Sequence, residues 1–198
     1  MLSNAFSMNI VPLFPTPIGK VTDFISEKDR LSLVKKIKSI KHLSHSALRG
    51  DAYSTHTNSS DFLDRSIKKK IQSAVDEFAT AYGTPPLRIS QVWSNIQKPG
   101  SILKEHRHPH SVLSGALYVN VDKESSKIYF HNPNSFVTYE DFVEHNHYNF
   151  QWMSFQPENC LLILFPSWLW HGSEDANKSD DRIVISFNTS LRDSYEFK

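Results

Sequence analysis

His106-Arg107-His108-Pro109-His110-Ser111-Val112-Leu113-Ser114-Gly115-Ala116-Leu117-Tyr118-Val119 is the stretch on which the fold turns. Two imidazoles stand two residues apart on an extended segment that runs straight into β-branched and aromatic residues. Alternate residues of an extended chain point to the same side, so His106 and His108 can reach one ion. His110 shares that parity, but Pro109 turns the chain before it, which puts His110 behind the ligands or at the surface. A His-x-His pair alone serves structure more often than metal binding, and it needs a third donor. Phe165-Pro166-Ser167-Trp168-Leu169-Trp170-His171 offers one, an imidazole after a Pro-bearing turn at the end of an apolar run. Eleven residues later Arg182 opens Ile183-Val184-Ile185-Ser186-Phe187. Taken alone, Arg182 reads as a rim salt bridge to Asp180 or Asp181. Beside three histidines it reads as a fixed, permanently charged fork suited to a terminal carboxylate.

Outward from these segments, strands are predicted near 88–97, 112–121, 127–131, 149–155, 160–165 and 182–190, by enrichment in β-branched and aromatic residues. Short strands without intervening helices indicate an all-β sandwich or barrel. Upstream the texture is helical. One helix begins near Ser26, where Ser26-x-x-Asp29 approximates a capping box, and directs Leu31, Leu33, Val34, Ile37 and Ile40 to the core. A second starts around Ser60, repeats Leu63, Ile67, Ile71, Val75, Phe78 and Tyr82 on one face, and ends at Gly83. Before both, Val11-Pro12-Leu13-Phe14-Pro15-Thr16-Pro17 has too many prolines for a helix or central strand and suggests an extended piece laid on the core. The expected fold is mainly β, a double-stranded β-helix or jelly roll with two supporting N-terminal helices. It forms one domain over 1–198, with helical support at 22–84 and the jelly-roll core at 86–192.

The bulk numbers agree. A chain of 198 residues with 39% hydrophobic content closes one sizeable core but not two. With 22 Lys plus Arg against 21 Asp plus Glu, no global field draws it to nucleic acid or an anionic membrane, and no basic aromatic groove is visible. The lone Cys160 precludes an internal disulfide and reads as a small buried hydrophobe in Cys160-Leu161-Leu162-Ile163-Leu164-Phe165. The first residues lack the charged and apolar regions of a secretion signal, so none is expected, and no run of roughly 20 apolar residues occurs. A soluble, cytoplasmic protein is expected.

His106-Arg107-His108-Pro109, Leu113-Ser114-Gly115-Ala116-Leu117-Tyr118-Val119, Phe130-His131-Asn132-Pro133, Leu164-Phe165-Pro166-Ser167-Trp168-Leu169-Trp170-His171 and Arg182-Ile183-Val184-Ile185-Ser186-Phe187-Asn188, taken in order, resemble the Fe(II)/2-oxoglutarate oxygenase superfamily. Within it they are similar to a family of small oxygenases whose opening resembles Leu13-Phe14-Pro15-Thr16-Pro17. The resemblance implies a 2-oxoglutarate-dependent dioxygenase that consumes O2, releases succinate and CO2, and hydroxylates an organic substrate. His106 and His171 would hold Fe(II), Arg182 would pair with the far carboxylate of 2-oxoglutarate, and Tyr118 would hydrogen-bond that carboxylate.

Two departures stand out. Most of the superfamily has a carboxylate where this chain has His108, so His108 is either a third imidazole ligand or unbound; its bulk disfavours the empty halide site of halogenating relatives. Val184 stands where many relatives place a serine that assists the arginine. Trp93, Asn95, Trp168 and Trp170 are candidate pocket walls. The aromatic stretch Asn132–Gln151, with Asn134, Tyr139, Phe142, His145, His147 and Tyr148, and Trp152 beside it, is a candidate substrate lid. Two other classes compete: a cupin-type three-histidine metalloenzyme without 2-oxoglutarate, and a non-catalytic β-sandwich binding module. Gly100 before His106-x-His108 and Pro166 before His171 echo cupin spacing, although Val112 and Leu113 stand where cupins place a glutamate.

Overall fold

The computed structural model describes residues 9–57, 62–134 and 141–192. In chain order the elements are β1 (Gly19–Val21), α1 (Glu27–Ser39), β2 (Leu48–Arg49), β3 (Ala52–Ser54), α2 (Arg65–Tyr82), β4 (Leu87–Gln97), β5 (Ile102–Leu103), β6 (Leu113–Asn120), β7 (Ile128–His131), β8 (Trp152–Phe155), β9 (Leu162–Pro166), β10 (His171–Ser173) and β11 (Arg182–Leu191). A six-stranded antiparallel sheet runs β1-β9-β6-β11-β4-β3. Facing it are two small sheets, β10-β7-β8 and β2-β5, joined where His106 forms an antiparallel bridge with His171. Two such facing antiparallel layers make the double-stranded β-helix expected from the sequence.

Strand alternation separates the buried residues of the large sheet into two cores. Leu113, Leu117 and Val119 of β6, Leu162 and Leu164 of β9, and Ile183, Ile185 and Phe187 of β11 face the helices. Ala116 and Tyr118, Ile163 and Phe165, and Val184 take the opposite parity and point between the sheets, with Ile128 and Phe130. Both faces of these strands are buried, which is why they read as continuous apolar runs.

α2 covers the outer face with Ile67, Ile71, Val75 and Ala79, spaced by four, and ends at Gly83 in the left-handed conformation, φ 78°. α1 adds Leu33 and Ile37, and its first turn is capped by Ser26 Oγ, which accepts from the Asp29 amide at 3.1 Å. Three expectations need correction. Leu31 does not face the core: it is 54% exposed, because two residues are about 200° of helix, placing it opposite Leu33. The second helix begins at Arg65 after Asp64; Ser60 lies outside the described residues, and the buried Leu63 precedes the helix. The proline-rich opening does not lie on the core. Phe14 is 94% exposed, and Pro12, Pro15 and Pro17 withhold the amides that would join it to a sheet edge. Among the described residues no helix is long and apolar enough to cross a membrane.

Candidate metal centre

His106 and His171 exchange both backbone hydrogen bonds, His106 N to His171 O at 2.9 Å and His171 N to His106 O at 3.0 Å. This hydrogen-bonded antiparallel pair sets the two imidazoles directly opposite each other. The His108 amide donates to Ser167 O at 2.9 Å, which brings the third ring alongside. The ring centroids lie 4.4 Å (His106–His171), 4.9 Å (His106–His108) and 5.1 Å (His108–His171) apart, and one nitrogen of each ring lies within 4.8 Å of the others. Ligands on adjacent octahedral corners with bonds of about 2.1 Å are roughly 3 Å apart, so small χ rotations close the three rings on one ion. The structure brings together all three histidines expected from the sequence.

Each outer ring is oriented by its own strand. His106 Nδ1 donates to Lys104 O and His171 Nδ1 to Leu169 O, both at 2.8 Å, which leaves Nε2 unprotonated and aimed at the centre. Burial lowers the pKa of His106 and holds His171 well below the ordinary imidazole value; His108 falls to about 3, through burial and then the charges of His106 and His56. All three are therefore neutral donors at neutral pH. Phe165 packs edge-on against His171 at 4.6 Å and shields its far side from water. Behind the centre Ser114 Oγ lies 2.7 Å from Ser167 Oγ and donates to Asn188 Oδ1 at 2.8 Å, tying β6, the turn that receives His108, and β11 together. Gly115 is required beside this network, since a Cβ there would meet Phe187 Cζ at 2.2 Å.

The histidines open on a cavity of about 210 Å³ between the sheets, whose lining among the described residues contains no Asp or Glu. Arg182 is there, 4% exposed. Among the described residues it forms no rim salt bridge: Asp181, one residue earlier and of opposite parity, pairs instead with Lys38 and Lys98 at the surface. Arg182 Nε donates to Ser126 O at 3.2 Å and Nη1 to Gln97 Oε1, so its partners in the described structure are neutral. Tyr118, fully buried, faces the guanidinium with the ring centroid 5.4 Å from Cζ. Burial raises the Tyr118 pKa and keeps its phenol a hydrogen-bond donor.

The remaining expectations divide. Trp93 and Asn95 line the cavity. Trp168 and Trp170 do not: both are 44% exposed, Trp168 Nε1 donating to Tyr82 Oη at 3.3 Å and Trp170 carrying the Arg107 guanidinium at 5.3 Å. His110 is exposed with φ 67° after Pro109. None of the described residues of the candidate lid lines the cavity, and Tyr139 lies outside the described residues. Sequence reasoning missed His45, His56 and Gln97, all in the lining. His56 packs between His45 (ring centroids 4.7 Å apart, tilted) and Trp93 (4.8 Å, edge-on). Gln97 continues the parity of Trp93 and Asn95, a signal that was present in the chain.

Comparison with known proteins bears on this geometry. Residues 91–188 match the family model described as "Putative 2OG-Fe(II) oxygenase". Among solved structures, a Pseudomonas putida prolyl-4-hydroxylase matches with TM-score 0.59 and 12% identity, over 89% of this chain and 94% of that one. HygX from Streptomyces hygroscopicus, with nickel and 2-oxoglutarate bound, matches with TM-score 0.61 and 10% identity, over 92% and 86%. The non-heme alpha-ketoglutarate-dependent epimerase SnoN, from nogalamycin biosynthesis, matches with TM-score 0.66 and 11% identity, over 89% and 77%. No curated protein sequence matches the chain. At such identities the structural likenesses speak for the fold, and the family match, which spans β4 to β11 with the histidines and Arg182, speaks for the chemistry. The chain belongs to the 2-oxoglutarate/Fe(II)-dependent oxygenases.

Proposed function

We propose that His106, His108 and His171 hold the Fe(II), that Arg182 and Tyr118 anchor the distal carboxylate of 2-oxoglutarate, and that the enzyme hydroxylates an organic substrate. The observation that carries the assignment is a buried guanidinium without a carboxylate partner among the described residues, facing the same acid-free cavity as three neutral imidazoles. An unpaired buried charge is costly, and a dicarboxylate bound there compensates it. Imidazole nitrogen suits iron, so the donor set fits the cofactor. A cupin-type site without 2-oxoglutarate leaves Arg182 uncompensated.

When bound, iron with 2-oxoglutarate and O2 supplies a two-electron oxidation: one oxygen atom leaves in succinate as CO2 is released, and the other enters a substrate C–H bond. The chain's own groups bind and orient. Arg182, buried yet permanently charged, attracts the far carboxylate, and Tyr118 donates from its protonated phenol. His106, His108 and His171 present lone pairs on one side, and Phe165 and Phe130 exclude water behind His171. Replacing the usual carboxylate by His108 adds one unit of positive charge to the centre, which strengthens its hold on anions. Trp93, His45 and His56 line the same cavity and are the side chains a substrate there would meet. The reducing setting suited to Fe(II) accords with the single cysteine, and a cytoplasmic location is part of the proposal.

The test is anaerobic reconstitution with Fe(II) and 2-oxoglutarate, following the weak visible charge-transfer band of the chelate. His171→Ala is expected to lose the band through loss of metal, and Arg182→Met to keep the metal but lose cosubstrate affinity. Undiminished 2-oxoglutarate binding by Arg182→Met would overturn the assignment.

A further inference from the structure

We infer that Gln97 completes the distal-carboxylate seat, its side-chain amide supplying a second, neutral donor beside Arg182; this rests on the reading of Arg182 given above. Gln97 and Arg182 are directly opposed in the antiparallel register of β4 and β11, so their side chains leave the sheet on the same face. Gln97 is 1% exposed. Its Oε1 accepts from Arg182 Nη1, and because a guanidinium carries donors only, this contact fixes which way the amide lies. Nε2 is then turned away from Arg182, buried and without a hydrogen-bond partner among the described residues.

The strand cannot shift to satisfy that donor. Gln97 is paired on both sides, with Ala52 of β3 and Arg182 of β11, and its carbonyl accepts from Asn177 Nδ2 at 3.2 Å. Buried polar groups in native proteins are almost always satisfied, so an orphaned donor in a ligand cavity marks where an acceptor belongs. Arg182 itself has Nε committed to Ser126 O and Nη1 to Gln97 Oε1, so part of its fork is spent on holding its own position. Val184, next on the same face of β11, brings no polar group. The amide of Gln97 thus supplies the hydrogen bond that the neighbouring strand position withholds. A glutamate at 97 would neutralise Arg182 instead, and the amide avoids that while still donating.

The test is an anaerobic titration of the Fe(II)-loaded full chain with 2-oxoglutarate and, separately, with pyruvate, a 2-oxo acid that lacks the distal carboxylate. The visible band reports each. Gln97→Met keeps the shape but not the donor. It is expected to weaken 2-oxoglutarate binding about tenfold or more, the scale of one lost hydrogen bond to a charged group, and to leave pyruvate and Fe(II) binding unchanged. Gln97→Glu is expected to abolish 2-oxoglutarate binding by pairing with Arg182, again sparing pyruvate. Wild-type 2-oxoglutarate affinity in Gln97→Met, or equal losses for both acids, would overturn the role of Gln97. Absence of a 2-oxoglutarate-dependent band in the unmodified protein would instead sink the underlying reading of the site, which makes the two failures distinguishable.

Discussion

At the residue scale, His108 is the position where the proposed metal centre departs from the usual arrangement of two histidines and a carboxylate. His108→Asp restores that arrangement and removes one unit of positive charge from the site. The expected outcome is a protein that still binds Fe(II) in a metal titration but holds 2-oxoglutarate several-fold more weakly in the anaerobic band titration. Unchanged cosubstrate affinity would show that the charge of the centre does not govern anion binding. The three histidines were legible in the sequence because their signals are local: a spacing of two on an extended segment, and an imidazole closing an apolar strand. Arg182 was legible only in company with them. Gln97 carried only the parity it shares with Trp93 and Asn95, and His45 and His56 carried no signal at all, since their place in the cavity depends on which strands become neighbours. The pairing of Gln97 with Arg182 joins residues 85 positions apart, and no periodicity in one segment reveals it.

At the scale of elements, the turn carrying His108 depends on β6 and β11 through Ser114, Ser167 and Asn188. Ser114→Ala deletes the hydroxyl that links the other two and is expected to lower Fe(II) affinity roughly tenfold, at the mild end of what supporting hydrogen bonds do for metal sites, as read by competition with a chelator. Gly115→Ala tests packing on the helix side of the same strand. Phe187 is fully buried and cannot yield easily, so the added methyl is expected to cost about 1–3 kcal/mol or more in a denaturant melt. The longer strands were legible within a residue or two of their ends because runs such as Leu161-Leu162-Ile163-Leu164-Phe165 are buried on both faces. β2, β5 and β10, of two or three residues each, were invisible, because such strands are created by their partners and not by their own composition. The expected lid illustrates the converse. Its aromatic content marked it for function, yet its described residues do not line the cavity.

For the whole molecule, metal and cosubstrate bind only the folded state and should stabilise it by mass action. Fe(II) or Ni(II) at a hundredfold excess over its dissociation constant is expected to raise Tm by about 5–10 °C, from roughly 2.7 kcal/mol of linkage in a chain of this length. 2-Oxoglutarate should add to this only when metal is present, and differential scanning fluorimetry with and without a chelator checks both. Away from the site, Asp181 ties α1 to the end of β4 through Lys38 (2.6 Å) and Lys98, which hold its carboxyl below the ordinary value of 3.8. A carboxyl depressed in the folded state contributes stability above its unfolded value and loses it as pH falls through the depressed one. Asp181→Asn is therefore expected to cost up to about 1 kcal/mol at pH 7, with partners this exposed, and nothing once the wild-type carboxyl is protonated; urea midpoints at the two pH values decide it.

The acceptors that orient His106 and His171 are main-chain carbonyls two residues upstream, those of Lys104 and Leu169. Every amino acid carries such a carbonyl, so drift at positions 104 and 169 leaves the aim of the two rings intact. Tautomer choice in this enzyme is thereby inherited through the course of the backbone and is robust to replacement of any single neighbouring side chain.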